Sequence, residues 1–262
     1  MRASRWTLLA LLGAGYALAL THGQLGLPTL PVFALLLFSG WLVQPVRARH
    51  WRVLGHSLFV LTAVALALHG LPGFDNARVI DQVRFSADAV PFSMHLNLDK
   101  PLIGLWLLLA CPWIVMARRP RPGLAALAVV LTSLVCLGVA WLLGVVAWSV
   151  KWPAQAWLWL ANNLLLVSLV EEALFRGYLQ GSLQRWLTPL RQGDNLALGL
   201  SALLFGLAHV GGGWPWVALA TLAGAGYGLA WRHGGLPAAL LAHFGLNLVH
   251  FALFTYPLET TP

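Results

Sequence analysis

Residues 155–178 read QAWLWLANNLLLVSLVEEALFRGY, a run long enough to cross a bilayer that nevertheless carries two adjacent glutamates, Glu171 and Glu172, and an arginine, Arg176. A helix needs about 20 largely apolar residues to span the hydrocarbon core, where lipid offers its backbone no hydrogen-bonding partner. An acidic side chain at that depth costs about +2.5 to +3.5 kcal/mol on insertion scales, so a pair of them marks a functional place in a membrane helix.

Outward from this stretch the chain keeps the same character. It has 262 residues, 59% hydrophobic and 9% charged, with mean hydropathy +0.76, where a soluble domain carries about a quarter charged residues. Further apolar segments fall near 6–22, 29–46, 53–71, 101–117, 124–148, 195–210, 215–231 and 236–256. The expected fold is therefore all-α, a polytopic membrane bundle of about eight or nine transmembrane helices. The 195–210 segment is the shortest: roughly 16 residues reach only about 24 Å, so it is expected to cross partly or to be buried by its neighbours. The first segment resembles a secretory signal, but no small-residue cleavage site follows it, and it reads as a retained first helix. Two parts are expected, an N-terminal membrane region over 1–123 with a polar loop at 72–100, and a catalytic helical core over 124–262.

The net charge of +8 does not point to nucleic acid, because the basic residues sit in short connections rather than in one patch. Arg2 and Arg5, then Arg47, Arg49 and Arg52, then Arg118, Arg119 and Arg121, then Arg185 and Arg191, then Arg232 occupy alternate connections. By the positive-inside rule those connections and the N-terminus are cytoplasmic, in a multi-pass protein of the cell (inner or plasma) membrane. The opposite face holds Arg78, Arg84, Lys100 and Lys151, and also Asp75, Asp81, Asp88 and Asp99 within the polar segment 72–100. A loop that long is usually functional. The tryptophans, mostly near segment ends, read as interfacial anchors. Cys111 and Cys136 lie inside apolar runs and suggest neither a disulfide framework nor a thiolate metal site.

Three groups of residues carry chemistry. On a helix Glu172 and Arg176 share a face with the acid first, the favourable order for an ion pair. Glu171 points about 100° away and is left for proton transfer. Phe205-Gly-Leu-Ala-His209 puts an imidazole at the end of an apolar segment, where Gly211, Gly212 and Gly213 let the chain turn away. His243 and Asn247 are four apart on one stripe of the last segment, with His250 near it. Both can donate to an oxygen that gains negative charge, or they can join helices by hydrogen bonds. Ala220, Gly224 and Gly228 form a small-residue stripe suited to close helix packing. No His-Glu-x-x-His, Gly-x-Ser-x-Gly or phosphate-binding glycine loop occurs.

Glu171-Glu172-x-x-x-Arg176, Phe205-x-x-x-His209 and His243-x-x-x-Asn247, in that order, resemble the motifs of the CAAX-protease and bacteriocin-processing family, the Abi family of intramembrane glutamic endopeptidases. The resemblance covers roughly 150–256. It implies that Glu171 and His209 activate a water and that His243 and Asn247 hold the oxyanion, with Glu172, Arg176 and Phe205 in support. No metal or other cofactor is implied. The partner is then a protein or peptide substrate at the membrane, either membrane-associated or exported, in contact with the lipid bilayer and without nucleic acid. Two other readings use the same residues. In one, Glu171, His209 and His243 ligate zinc, since carboxylate and imidazole are ordinary zinc donors; in the other, the cavity belongs to a non-catalytic immunity or scaffold protein.

Overall fold

The computed structural model describes residues 2–115 and 120–259, so Arg118 and Arg119 lie outside the described residues, as do the side chains of Arg2 and Arg5. The chain divides into two compact units. One comprises residues up to Val79 together with His95–Pro112; the other comprises Ile80–Met94 together with the chain from Trp113 onward.

The first unit contains α1 (Arg2–Thr21), α2 (Thr29–Leu42), α3 (Arg49–Ala67) and α4 (Pro101–Ala110). Its centre is the stack of Phe59 on Trp106, with ring centroids 3.8 Å apart. The Trp106 indole N–H donates to the Leu36 carbonyl at 3.0 Å and to Ser39 Oγ at 2.9 Å, which satisfies a buried polar atom and ties α4 to α2. Gly55 lets α3 approach α2: a Cβ there would stand 2.8 Å from the Leu42 and Val43 side chains.

The fold is mostly helical, as expected, and among the described residues departs from all-α only between α3 and α4. The 72–100 segment is not a plain loop but carries strands β1 (Ala77–Val83) and β2 (Phe92–Leu96), paired as a two-stranded sheet. Ile80 and Met94 are its buried positions, flanked by more exposed neighbours, an alternation that suits a half-buried strand but is too short to stand out beside the helical runs.

The second unit is built from α5 (Pro122–Leu142), α6 (Ala156–Trp186), α7 (Gly193–Leu207) and α8 (Trp214–Leu253). The helix α6 is continuous but contains two π-helical stretches, Asn163–Ser168 and Ala173–Gln180. The long α8 joins the two expected segments 215–231 and 236–256, broken only at Gly235, whose φ of 70° and ψ of −164° are non-helical. Glycine tolerates that backbone, and Pro237 just beyond removes an N–H from the helix ladder.

Among the described residues, four helices are long and apolar enough to cross a membrane by length and composition: α3, α5, α6 and α8. The shorter apolar helices α2, α4 and α7 account for three more expected segments, so the expected eight or nine spans are not all matched by helices of spanning length. The largest shortfall is 101–117. Pro112 disfavours helical backbone at Cys111, which sits at φ −125° and ψ 62°, and a short 3-10 turn, Pro112–Val115, follows.

Small residues set the packing of the second unit. A Cβ on Gly224 would meet the Ala202 backbone at 3.2 Å, and one on Gly228 would meet Gln180 Oε1 at 2.7 Å, so the small-residue stripe lies against α6 and α7. Gly206 is tighter still, with Thr221 Oγ1 at 1.9 Å and the Val217 carbonyl at 2.7 Å from its would-be Cβ. Gly206→Ala is therefore expected to destabilise the protein by about 1–3 kcal/mol through overpacking. A lower melting temperature in detergent checks this, and an unchanged one would mean that α7 and α8 can separate without cost.

Candidate active site

The polar face of α6 is the starting point. Glu172, Arg176, Gln180 and Gln184 recur every four residues and are all buried, forming one stripe down a membrane helix. Burial of charge on this scale requires partners. Arg176 Nε donates to Glu172 Oε2 at 3.1 Å, the ion pair expected from the spacing. Arg176 Nη1 donates to Ser201 Oγ at 3.0 Å, and Ser201 Oγ donates in turn to the Phe175 carbonyl at 2.8 Å. The guanidinium lies 4.7 Å from the Phe205 ring centroid and 5.7 Å from that of Tyr227, aromatic faces that favour a desolvated cation. Gln180 Nε2 donates to the Gly228 carbonyl at 3.2 Å, which ties the same stripe to α8.

Glu172 has a second partner that the spacing could not show. Its Oε1 accepts from His243 Nδ1 at 2.9 Å, across 71 residues of sequence. Because this carboxylate also accepts from Arg176, the imidazole must be the donor. The ring is held further by stacking on Tyr227, with centroids 4.6 Å apart and planes 11° from parallel, and by Phe205 edge-on at 5.8 Å. His243 thus has one nitrogen engaged in support and the other, Nε2, on the side away from Glu172.

Glu171 is placed differently. It lines a cavity of 330 Å³, and its Oε2 is buried without a hydrogen-bond partner. His209 lines the same cavity. Its Nδ1 donates to the Phe205 carbonyl at 2.8 Å, which a carbonyl oxygen can only accept, so the neutral ring keeps an unprotonated Nε2. Asn247 also lines the cavity, and its Nδ2 donates to Asn163 Oδ1 at 3.2 Å, leaving a second amide hydrogen. Ser168 Oγ donates to that same Asn163 oxygen at 3.2 Å. Residues five apart lie on different faces of an α-helix; the π-helical stretch Asn163–Ser168 brings these two together.

Glu171, His209, His243 and Asn247 therefore face one cavity, although His209 lies just past the end of its helix and Glu171 lies well inside its own. Helix lengths explain the meeting. Glu171 stands fifteen residues before Trp186, the end of α6, and His209 stands two residues beyond Leu207, the end of the fifteen-residue α7. At a rise of about 1.5 Å per residue, both lie roughly 22–25 Å from the turn that joins the two helices.

The rest of the cavity wall is mostly apolar. Trp159, Phe205, Trp216 and Tyr227 line it within the bundle, and Phe92, Met94, Val146, Tyr256 and Pro257 line it from a cap. The cap is extended backbone. Thr255 N donates to the Ala147 carbonyl at 2.8 Å, Glu259 N to that of Val145 at 3.1 Å, and Val90 N to that of Leu258 at 3.1 Å. Lys151 donates to the Phe254 carbonyl, and partial burial pushes its ammonium down to about 8. His250 is buried beside Tyr256 and bonds the Thr255 carbonyl through Nε2 at 3.1 Å, so it serves the cap.

Reasoning from sequence did not single out Asn163, Ser201, Tyr227 or Gln180. For Gln180 a signal existed, the four-residue recurrence after Glu172 and Arg176. Among the described residues, no group of three or more His, Cys, Asp or Glu side chains is arranged to hold a metal ion. No curated protein and no solved structure matches the chain. Residues 152–249, which contain Glu171-Glu172-x-x-x-Arg176, Phe205-x-x-x-His209 and His243-x-x-x-Asn247, match the family model of the Type II CAAX prenyl endopeptidase Rce1-like proteins, and over that stretch the resemblance drawn from the three motifs is borne out.

Proposed function

We propose that this membrane protein is an intramembrane endopeptidase that hydrolyses a peptide bond with an activated water. The observation that carries the proposal is the division of the glutamate pair: Glu172 is locked between Arg176 and His243, whereas Glu171 faces the cavity with an unpartnered oxygen. Glu171 takes a proton from the water, and His209 orients that water through Nε2 or shares the proton. The water oxygen attacks the scissile carbonyl carbon, and the carbonyl oxygen becomes an oxyanion. Asn247 donates to it through the amide hydrogen not used on Asn163. His243 donates through Nε2, which requires the ring protonated at both nitrogens, its charge facing Glu172. The C–N bond then breaks, and the leaving amine takes the proton held by Glu171.

The same geometry supports a side of access. The cavity is walled by the ends of α5, α6 and α8 nearest the cap, whereas Arg121, Arg185 and Arg191 lie at the other ends of α5, α6 and α7. Under the positive-inside rule the arginine ends of this unit are cytoplasmic, and the cavity serves the outer half of a cell membrane. The substrate class is then a membrane-anchored or exported protein, contacted by Phe92 and Met94 of the 72–100 segment.

Comparison of termini in membrane and secreted fractions of cells making wild type or Glu171→Gln tests this. One or a few uncut precursors, with cut sites on the outer side, are expected to accumulate with the variant. Unchanged termini with an abundant, folded variant would leave a non-catalytic binding role.

A further inference from the structure

The polar stripe of α6 does not end at the catalytic cavity. Its last member, Gln184, lines a second and larger cavity of 660 Å³ at the opposite, arginine-bearing end of the helices, together with Trp231, Arg121, Arg191, Arg232 and His233. Gln184 is 2% exposed and Trp231 3%. Both are polar side chains buried on purpose-built ground: the Trp231 six-membered ring rests against Gly181, where a Cβ would stand 3.4 Å from it.

Four buried polar atoms on this wall have no hydrogen-bond partner within the protein: Trp231 Nε1, Arg232 Nε, His233 Nδ1 and Gln184 Oε1. Arg232 spends its other nitrogens on the start of α7, donating to Asn195 Oδ1 at 3.0 Å and to the Asp194 carbonyl at 2.7 Å. That leaves Nε, like the indole N–H, as an unpartnered donor on residues that line the cavity. Unpartnered buried donors are destabilising and are normally matched by an acceptor. Three arginines face one carboxylate, that of Asp194, so the cavity is cationic. The donors and the charge call for an anion, and Gln184 Oε1, an unpartnered acceptor on a residue of the same lining, calls for a hydroxyl.

We propose that this cavity binds a phosphate ester bearing free hydroxyls. Two sources share that chemistry, the headgroup of an anionic phospholipid and a soluble glycerol phosphate. Position favours the lipid, since basic pockets between transmembrane helices at the cytoplasmic level are where anionic headgroups are held. The volume lies within the usual range for small-molecule sites. The site is separate from the catalytic residues and stands whether or not the protein cleaves peptides.

Native mass spectrometry of the full chain in nanodiscs tests the proposal, with phosphatidylglycerol titrated against phosphatidylcholine and glycerol 3-phosphate as the soluble arm. Wild type is expected to retain phosphatidylglycerol selectively. The pair Arg121→Gln with Arg191→Gln changes two exposed side chains and is expected to weaken retention by about tenfold or more. Gln184→Glu, which sets a negative charge inside the cavity, is expected to abolish it. If glycerol 3-phosphate binds with the same arginine dependence while neither lipid is retained, the site stands and its ligand is soluble. Equal retention of both lipids without glycerol phosphate binding, or an Arg121/Arg191 double variant that binds as wild type does, overturns it.

Discussion

Glu171→Gln is expected to slow peptide hydrolysis by about 10²–10⁴-fold, the usual contribution of a positioned general base, without lowering the melting temperature. The amide keeps the size and shape of the carboxylate but cannot take a proton from water. Nothing structural is lost with the charge, because Glu171 Oε2 accepts no hydrogen bond within the protein and the ion pair of this helix belongs to its neighbour. A single-turnover assay on a substrate found by terminal proteomics, run beside thermal unfolding, separates the two effects. Retention of the rate within a few-fold by a folded Glu171→Gln protein would remove Glu171 from the chemistry and transfer the burden to His209.

What could be read from the sequence was local. Glu172 and Arg176 are four apart, so their ion pair follows from helix geometry, and Glu171, one residue away, had to face elsewhere. The same reasoning put His243 and Asn247 on one face, and they do line one cavity. What joins α6 to α8 was not legible. The bond from His243 to Glu172 crosses 71 residues, and Asn247 reaches Asn163 across 84. The sharing of Asn163 by Ser168 needs a π-helical turn, whose extra residue per turn defeats any count made at 3.6. That Glu171 and His209 stand at matching distances from the turn between α6 and α7 was not legible either, because α6 runs on past the expected 155–178 to Trp186. The strands in 72–100 were hidden for another reason: with two short elements and few apolar residues, their alternation looks like a polar loop until Phe92 and Met94 are seen lining the cavity.

Glu172→Ala is expected to cost about 3–5 kcal/mol of stability, because it leaves the Arg176 guanidinium buried without its counter-charge. Ser201 and the rings of Phe205 and Tyr227 would still surround the cation, but none of them carries a negative charge. Loss of activity in this variant alone would say little, since an unfolded protein is also inactive. The double variant Glu172→Leu with Arg176→Met resolves the ambiguity. Replacing both members of a buried pair with apolar side chains of similar volume is often neutral in stability, so this protein should melt close to wild type. It should nevertheless remain inactive, because His243 has lost the acceptor that fixes its Nδ1 and, with it, the direction of Nε2. Recovery of both stability and cleavage by the double variant would make Glu172 a structural residue only; recovery of stability without cleavage makes it the residue that positions His243 for the oxyanion.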